Sequence, residues 1–278
     1  MKVLVTGANG FLGVGIVKQL LDENIDVIAT DFKLDHVDER ATKVASNLFE
    51  VKDPYNAFGQ PDVVLHLAWK DGFVHNADSH LLKLPNHHTF LKKLFESDVK
   101  KIAVLGTMHE IGFHEGSVDE NSACQPLSLY GIAKNALRLD AEYLDKLYHK
   151  KLQWLRGFYI VNNTEHGSSI FSKIVQSVKN GDKEFPFTMG LNQFDFLDYP
   201  EFCQQVTAAI LQDDILGTIN ICSGRPEKLA DRVERFISEN HFDIRLQYGT
   251  FPDRPYDSKA IWGNNQKITQ IMANKVKQ

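Results

Sequence analysis

Val3-Leu4-Val5-Thr6-Gly7-Ala8-Asn9-Gly10-Phe11-Leu12-Gly13 joins a short apolar run to three glycines spaced G-x-x-G-x-x-G. Absent side chains at Gly7, Gly10 and Gly13 let a backbone turn tightly and approach a pyrophosphate, and the helix that follows aims its first N–H groups at the same place. That helix is predicted from Val14 to Leu21, with Ile16, Val17, Leu20 and Leu21 on one face. Asp26-Val27-Ile28-Ala29-Thr30-Asp31 reads as a second buried strand. Strand, glycine turn, helix and strand in that order open a doubly wound α/β domain. The spacing differs by one residue from the commonest dinucleotide fingerprint. A glycine triplet alone says little, but here it follows the first strand and an acid, Asp31, closes the second.

The alternation continues outward. Asp62 to Ala68 and Lys101 to Gly106 read as strands, Thr89 to Phe95 as part of an amphipathic helix, Tyr130 to Tyr148 as a long helix and Leu152 to Arg156 as the next strand. Mostly apolar strands suit a parallel sheet covered on both faces. The rhythm changes after about residue 160, where Asn162 to Gly167 is polar and loop-like. The expected fold is α/β, a Rossmann-type doubly wound parallel sheet with a smaller, interleaved C-terminal substrate region. The division is expected at 1–160 for the NAD(P)-binding domain and 161–278 for a mainly substrate-binding region that returns elements to the first.

With 278 residues and 43% hydrophobic content, the chain can bury a substantial core. A net charge of −5 gives no reason to expect nucleic acid or an anionic membrane as partner. Cys124, Cys203 and Cys222 are too scattered for a metal site or a disulfide framework, which points to a reducing compartment. The first strand starts at Met1, leaving no room for a signal peptide, and no later stretch is long enough to span a bilayer; the expected location is cytoplasmic. His75, His80, His87 and His88 fit no common zinc spacing, so no metal is expected and they are read as helix-surface or subunit-contact residues.

Asp31 stands where a carboxylate accepts both ribose hydroxyls of the adenosine half, which favours NAD(H) over NADP(H), although Lys33 could pair with a 2′-phosphate. Tyr130 and Lys134 are four apart and share a helix face. A free phenol titrates at about 10, too high for proton exchange near neutrality. A nearby ammonium and a positively charged nicotinamide would lower it. Thr107 follows directly on a strand, at the sheet edge that faces the ligand crevice, where its hydroxyl could bond a reacting oxygen or simply cap a turn.

The glycine turn, Asp31, His66-Leu67-Ala68, Thr107 and Tyr130/Lys134 in this order resemble the extended short-chain dehydrogenase/reductase family, and within it the nucleotide-sugar epimerases, dehydratases and 4-ketoreductases. Phe194-Asp195-Phe196-Leu197-Asp198 and Ile219-Asn220-Ile221-Cys222-Ser223-Gly224 resemble two further family segments. The resemblance implies that Gly7, Gly10, Phe11, Leu12 and Gly13 bind the pyrophosphate, Asp31 and Phe32 the adenosine ribose, and Asn47 and Leu48 the adenine. It puts Leu67, Ala68 and Trp69 beside the cofactor, Lys134 also on the nicotinamide ribose, and Phe158 to Ile160 next to the nicotinamide. Thr107, Tyr130 and Lys134 would be catalytic, and Arg254 and Tyr256 would face the substrate; the unusual His109-Glu110 pair lies next to the proposed reacting centre, where His109 either faces the substrate or is an ordinary loop residue. It also implies a homodimer formed through helices near Thr89–Phe95 and Ala133–Tyr148.

Departures sharpen the reaction. The family's S-S-x-x-V-Y-G becomes Gly106-Thr107-Met108-His109-Glu110-Ile111-Gly112, and Met108-His109 stands where 4,6-dehydratases carry an acid pair. The expected activity is therefore NAD(P)H-dependent reduction of a 4-keto nucleotide-linked deoxysugar. The alternatives are a 4-epimerase holding NAD tightly and a non-catalytic NAD(H)-sensing protein.

Overall fold

A computed structural model describes residues 1–165, 167, 169–252 and 257–276. Seven parallel strands form the main sheet: β1 (Lys2–Thr6), β2 (Asp26–Asp31), β3 (Thr42–Ala45), β4 (Val63–His66), β5 (Lys101–Thr107), β7 (Lys151–Gly157) and β11 (Gly217–Ile221). Their order is β11-β7-β5-β4-β1-β2-β3, so the direction of winding reverses between β1 and β4. Ligands of such sheets bind outside the carboxyl ends of the strands at that reversal. The strands are buried because both faces are covered, as their near-continuous apolar runs require.

On one face lie α1 (Phe11–Asp22), α6 (Tyr199–Leu211) and α8 (Gln266–Lys275), packing Ile16, Val17, Phe202, Val206, Ile268 and Ile271 against the sheet. On the other face α3 (Ser79–Glu96) and α4 (Leu129–Tyr148) contribute Phe90, Leu94, Leu137, Ala141 and Leu144, with the single turn α2 (Pro54–Ala57) alongside. Apolar side chains removed from water at about 25 cal/mol per Å² supply the main drive for this layering. The helix expected around Thr89–Phe95 starts ten residues earlier, at Ser79, and runs through Pro85. Its first half leaves Leu81 and Leu82 exposed and contains Pro85, a residue that sequence rules place at helix ends, so the early turns carry no clean helical signal.

The remaining elements build a smaller body. The strands β12 (Pro226–Lys228), β10 (Gln193–Asp198), β14 (Ala260–Gly263) and β6 (Gly116–Val118) pair in that order, and β8 (Tyr159–Val161) joins the end of β10. A two-stranded ribbon pairs β9 (Glu184–Pro186) with β13 (Arg245–Gln247). α5 (Ile170–Asn180) and α7 (Leu229–Glu239) close a core around Phe171, Ile174, Phe196, Val233 and Phe236. Buried Asp195 on β10 ties the smaller body to the main sheet. Its carboxylate accepts the N–H groups of Ser223 at 2.8 Å, Gly224 at 2.9 Å and Gly263 at 3.0 Å. Among the described residues no helix is long and apolar enough to cross a membrane.

Candidate active site

The glycine turn sits at the carboxyl end of β1. Gly7 has φ +69°, and a Cβ there would lie 2.7 Å from the Ala68 nitrogen in the loop after β4. A Cβ on Gly13 would overlap the Gly7 carbonyl and come within 2.7 Å of the Ala8 Cα. Gly10 caps α1, and its N–H donates to the Gly7 carbonyl at 3.1 Å. These positions form a bare backbone cradle at a helix N-terminus, the arrangement that a pyrophosphate fits. Leu12 packs at the edge of the core beneath, and Phe11 packs tilted against Tyr199 of α6, ring centroids 4.9 Å apart. The Tyr199 hydroxyl donates to the Phe11 carbonyl at 2.5 Å and accepts the Gly15 N–H at 3.0 Å, bracing the turn from a residue nearly two hundred positions away.

Asp31 ends β2 beside this cradle, accepting the Asn9 N–H at 3.1 Å and the Phe32 N–H at 2.7 Å. Phe32 and Lys33 are exposed next to it. Asn47 follows β3 and donates to Glu50 at 2.7 Å, whereas Leu48 is buried in the core with Leu4, Ile28 and Phe58. Leu67 is buried, while Ala68 and Trp69 line the loop after β4.

Thr107 is the last residue of β5, two strands from the cradle. It caps a single 3-10 turn, Met108–Glu110, and its Oγ1 accepts the His109 N–H at 3.3 Å. Facing it is the first turn of α4, started by Ser128, whose hydroxyl accepts the Gly131 N–H at 3.1 Å. A Cβ on Gly131 would overlap the His109 carbonyl, so only glycine lets α4 approach the β5 turn this closely. Thr107 and Tyr130 are thereby brought together, with Lys134 one turn further along α4. The Lys134 ammonium donates to the Leu105 carbonyl at 2.7 Å and lies 4.0 Å from the centre of the Trp69 ring.

Burial pulls Lys134 down to about 7, partly opposed by the negative charge of Glu110. The phenol of Tyr130 is pushed upward by burial, with the Thr107 hydroxyl working against that push. In this arrangement the Lys134 ammonium is turned to the Leu105 carbonyl and the Trp69 ring.

Histidines crowd this centre. His75 stacks on Tyr130 at 5.5 Å and meets His109 at 4.3 Å. His109 in turn lies 6.0 Å from Tyr130 and 6.3 Å from Tyr159, and burial together with His75 holds it at about 4. The reading of His80 and His87 as surface residues is corrected, since both are buried. His80 Nδ1 accepts the Trp69 indole N–H at 2.9 Å, so its Nε2–H donates to the Val74 carbonyl at 2.9 Å. His87 stacks on Trp69 at 4.5 Å and shares a 2.9 Å hydrogen bond with His66, which bonds Thr6 at 2.8 Å. Apolar α3 flanks and polar ring edges let these imidazoles serve as core once each nitrogen has a partner. His88 stays half exposed and pairs with Asp140.

Phe158 is buried between β7 and β8, and Ile160 lies in β8 beside Leu197. Arg254 and Tyr256 lie outside the described residues. Tyr199, Trp154 and Arg156 were missed in the sequence, and Glu110 was noted only as part of the pair beside the reacting centre, with no role. Of these only Glu110 carried a local signal, the Thr-x-x-Glu spacing of a capping box, which the structure forms between Thr107 and Glu110.

A seven-stranded parallel sheet with a glycine cradle at its reversal point, and a hydroxyl, a phenol and an amine gathered at a strand end two strands away, defines a dinucleotide-binding Rossmann protein. Residues 3–222 match the family described as "NAD dependent epimerase/dehydratase family", and the chain belongs to it. It is 36% identical over 271 residues to a dTDP-6-deoxy-L-talose 4-dehydrogenase (NAD(+)) of Aggregatibacter actinomycetemcomitans, covering 95% of this chain and 99% of that one. A GDP-6-deoxy-D-talose 4-dehydrogenase of the same organism is 23% identical, over 99% of this chain and 92% of its own length. Among solved structures, a UDP-N-acetylglucosamine 4-epimerase from Methanobrevibacter ruminantium M1 superposes with a TM-score of 0.84 at 20% identity, over 97% of this chain and 91% of that one. DesIV, a dTDP-glucose 4,6-dehydratase from Streptomyces venezuelae, gives 0.81 at 18% identity, over 97% and 90%.

Proposed function

We propose that this protein interconverts the C4 hydroxyl and C4 ketone of a deoxyhexose linked to a nucleoside diphosphate, using NAD(H), with 4-keto reduction as the direction read from the sequence. The observation that carries the reading is the gathering of Thr107, Tyr130 and Lys134 beside the glycine cradle, in a chain 36% identical along nearly its whole length to a dTDP-6-deoxy-L-talose 4-dehydrogenase (NAD(+)).

Gly7, Gly10, Phe11, Leu12 and Gly13 would hold the pyrophosphate, Asp31 and Phe32 the adenosine ribose, and Asn47 the adenine side. Leu48 would act there from the core. Leu67, Ala68, Trp69, Phe158 and Ile160 would flank the nicotinamide half. NAD(H) supplies or accepts the hydride when bound. Thr107 would bond the C4 oxygen through its hydroxyl hydrogen, since its Oγ1 already accepts from His109. Tyr130 would give the proton to that oxygen in reduction and take it back in oxidation. Lys134 would favour the phenolate by its charge once turned from the Leu105 carbonyl towards the ribose and Tyr130. His109 would border the sugar, where its low basicity keeps it neutral. Residues 1–160 would then serve the cofactor and 161–278 mainly the substrate, with Arg254 and Tyr256 on the diphosphate. Free thiols at Cys124, Cys203 and Cys222 support a cytoplasmic location.

A homodimer is part of the same proposal. Ile132, Leu139, Tyr143 and Leu147 make one exposed apolar stripe along α4, next to exposed Leu81 and Leu82 on α3. Light scattering should give twice the chain mass, and Leu139→Asp should give a monomer.

The test of activity is incubation of purified protein with dTDP-6-deoxy-L-talose and NAD(+), and of the corresponding 4-keto sugar with NADH. Net change in NADH absorbance in either direction is expected. Tyr130→Phe should lower turnover about 10²–10⁴-fold with NAD(+) binding retained. Sugar inversion at C4 without net NADH change would replace this reading by the epimerase, and unchanged turnover in Tyr130→Phe would overturn it.

A further inference from the structure

Beneath Thr107 lies a buried carboxylate that the proposed chemistry does not use. Glu110 is fully buried, and its Oε1 accepts the Thr107 backbone N–H at 2.7 Å. Both oxygens accept the Trp154 indole N–H at 3.0 Å, Oε2 accepts from Arg156 Nε at 3.4 Å, and Arg138 Nε stands 3.9 Å away on α4. Arg156 is itself fully buried and donates through Nη1 to the Asp119 carbonyl at 3.0 Å. Trp154 and Arg156 are two apart on β7 and so share one face of the sheet. They form the wall against which the turn after β5 is pinned.

The neighbouring glycine belongs to the same device. A Cβ on Gly106 would overlap the Trp154 indole and come within 2.7 Å of Glu110 Oε1. Gly106 is paired in register with Arg156 across β5 and β7. Gly106 and Glu110 are therefore one unit in physical terms: the missing side chain makes room for the carboxylate and the indole.

We propose that Glu110 is a positioning residue of this site, fixing the Thr107 end of β5 through the Thr107 N–H while Trp154 and Arg156 hold its carboxylate in place. The inference rests on the reading of Thr107 as the hydroxyl that bonds the sugar oxygen. A second-order role follows from charge. Glu110 acts on Lys134 and Tyr130 across the turn, favouring ammonium on the first and neutral phenol on the second. Burial pushes the Glu110 carboxyl upward, against Arg156, the Thr107 N–H, Trp154 and Lys134. Every bonded neighbour is a donor, so a protonated Glu110 would bury an O–H facing only N–H groups; the ionised form is the one this pocket accepts. The charged groups facing it are Arg156 from β7 and Arg138 and Lys134 from α4. On the far side Lys134 faces His66 and His87, both held neutral by burial.

The experiment is a double-mutant cycle in the full chain, with dTDP-6-deoxy-L-talose and NAD(+) as reactants. Glu110→Gln is expected to lower kcat on the order of 100-fold, the scale of an ångström-sized misplacement, with the KM for NAD(+) within about twofold. In a Thr107→Ala background the same change should cost no more than about threefold, because the group that Glu110 positions is already gone. An equal loss in both backgrounds overturns the proposal, as does a Glu110→Gln enzyme with unchanged kcat. Should Glu110→Gln not fold, Trp154→Phe removes one donor to the carboxylate while keeping the charge. It is expected to give a smaller loss with the same non-additivity, and additivity there overturns the proposal equally. If Thr107→Ala alone leaves turnover unchanged, the failure belongs to the functional reading and not to Glu110.

Discussion

Lys134 and Trp69 are joined face to charge, with the ammonium 4.0 Å from the indole centre and its hydrogen bond spent on the Leu105 carbonyl. A buried amine is thus satisfied without a carboxylate in direct contact. An aromatic face in a desolvated place contributes about 2 kcal/mol to such a cation. The indole can do so because His87 stacks beneath it and His80 fixes its N–H.

Lys134→Met is expected to stabilise the fold while removing turnover. Between about 7 and the ordinary lysine value of 10.5, the folded chain binds fewer protons than the unfolded one, so wild-type stability rises with pH in that window. Below it the cost of burying the ammonium is complete. The variant should therefore gain about 1–3 kcal/mol at pH 6, and the gain should shrink as pH approaches 10. Denaturant titration at both pH values checks this; a loss at pH 6 would sink it.

The buried imidazoles set the acid limit. His87 is held at about 3 and His66 well below its usual 6.5, both mainly by burial. Their folded values are depressed, so the unfolded chain takes protons first and stability falls as pH drops below about 6.5. At pH 5 His87 alone costs about 2 kcal/mol, from roughly 1.4 kcal/mol per pH unit, and His66 adds in the same direction. Urea midpoints from pH 8 to 4.5 should decline steeply below 6.5, and His87→Leu should flatten the slope. An unchanged slope in that variant would contradict the assignment.

Tyr199→Phe removes the hydroxyl that donates to Phe11 and accepts from Gly15. Leaving those partners unpaired should cost about 1–3 kcal/mol. Because Phe11 opens α1 directly after the glycine turn, NAD(+) affinity should also fall severalfold, measurable by calorimetry. Wild-type affinity in a destabilised variant would separate α6 from the cradle.

Asp31→Asn tests cofactor choice. Its carboxylate is held towards the cradle by Asn9 and Phe32 N–H groups, next to exposed Lys33. Removing the charge should weaken NAD(+) about tenfold while improving NADP(+), since a like charge no longer meets the 2′-phosphate. Steady-state KM values with both cofactors decide it, and an unchanged ratio would remove Asp31 from the ribose site.

Local chemistry alone determined much of this protein. Gly7, Gly10 and Gly13 between an apolar run and an amphipathic helix, Asp31 at the next strand end, and Tyr130 with Lys134 on one helix face were all legible, because turn geometry and helix period depend on neighbours in the chain. Tertiary structure alone decided that Tyr199 braces the glycine turn from α6, that His80 and His87 form core rather than surface, and that Trp69 rather than Tyr130 faces the Lys134 ammonium. It also decided that Gly106, Glu110, Trp154 and Arg156 make one unit. Burial and hydrogen-bond partners across β4, β5, β7, α3 and α6 are set by which strands lie side by side. No spacing within a single segment carries that information.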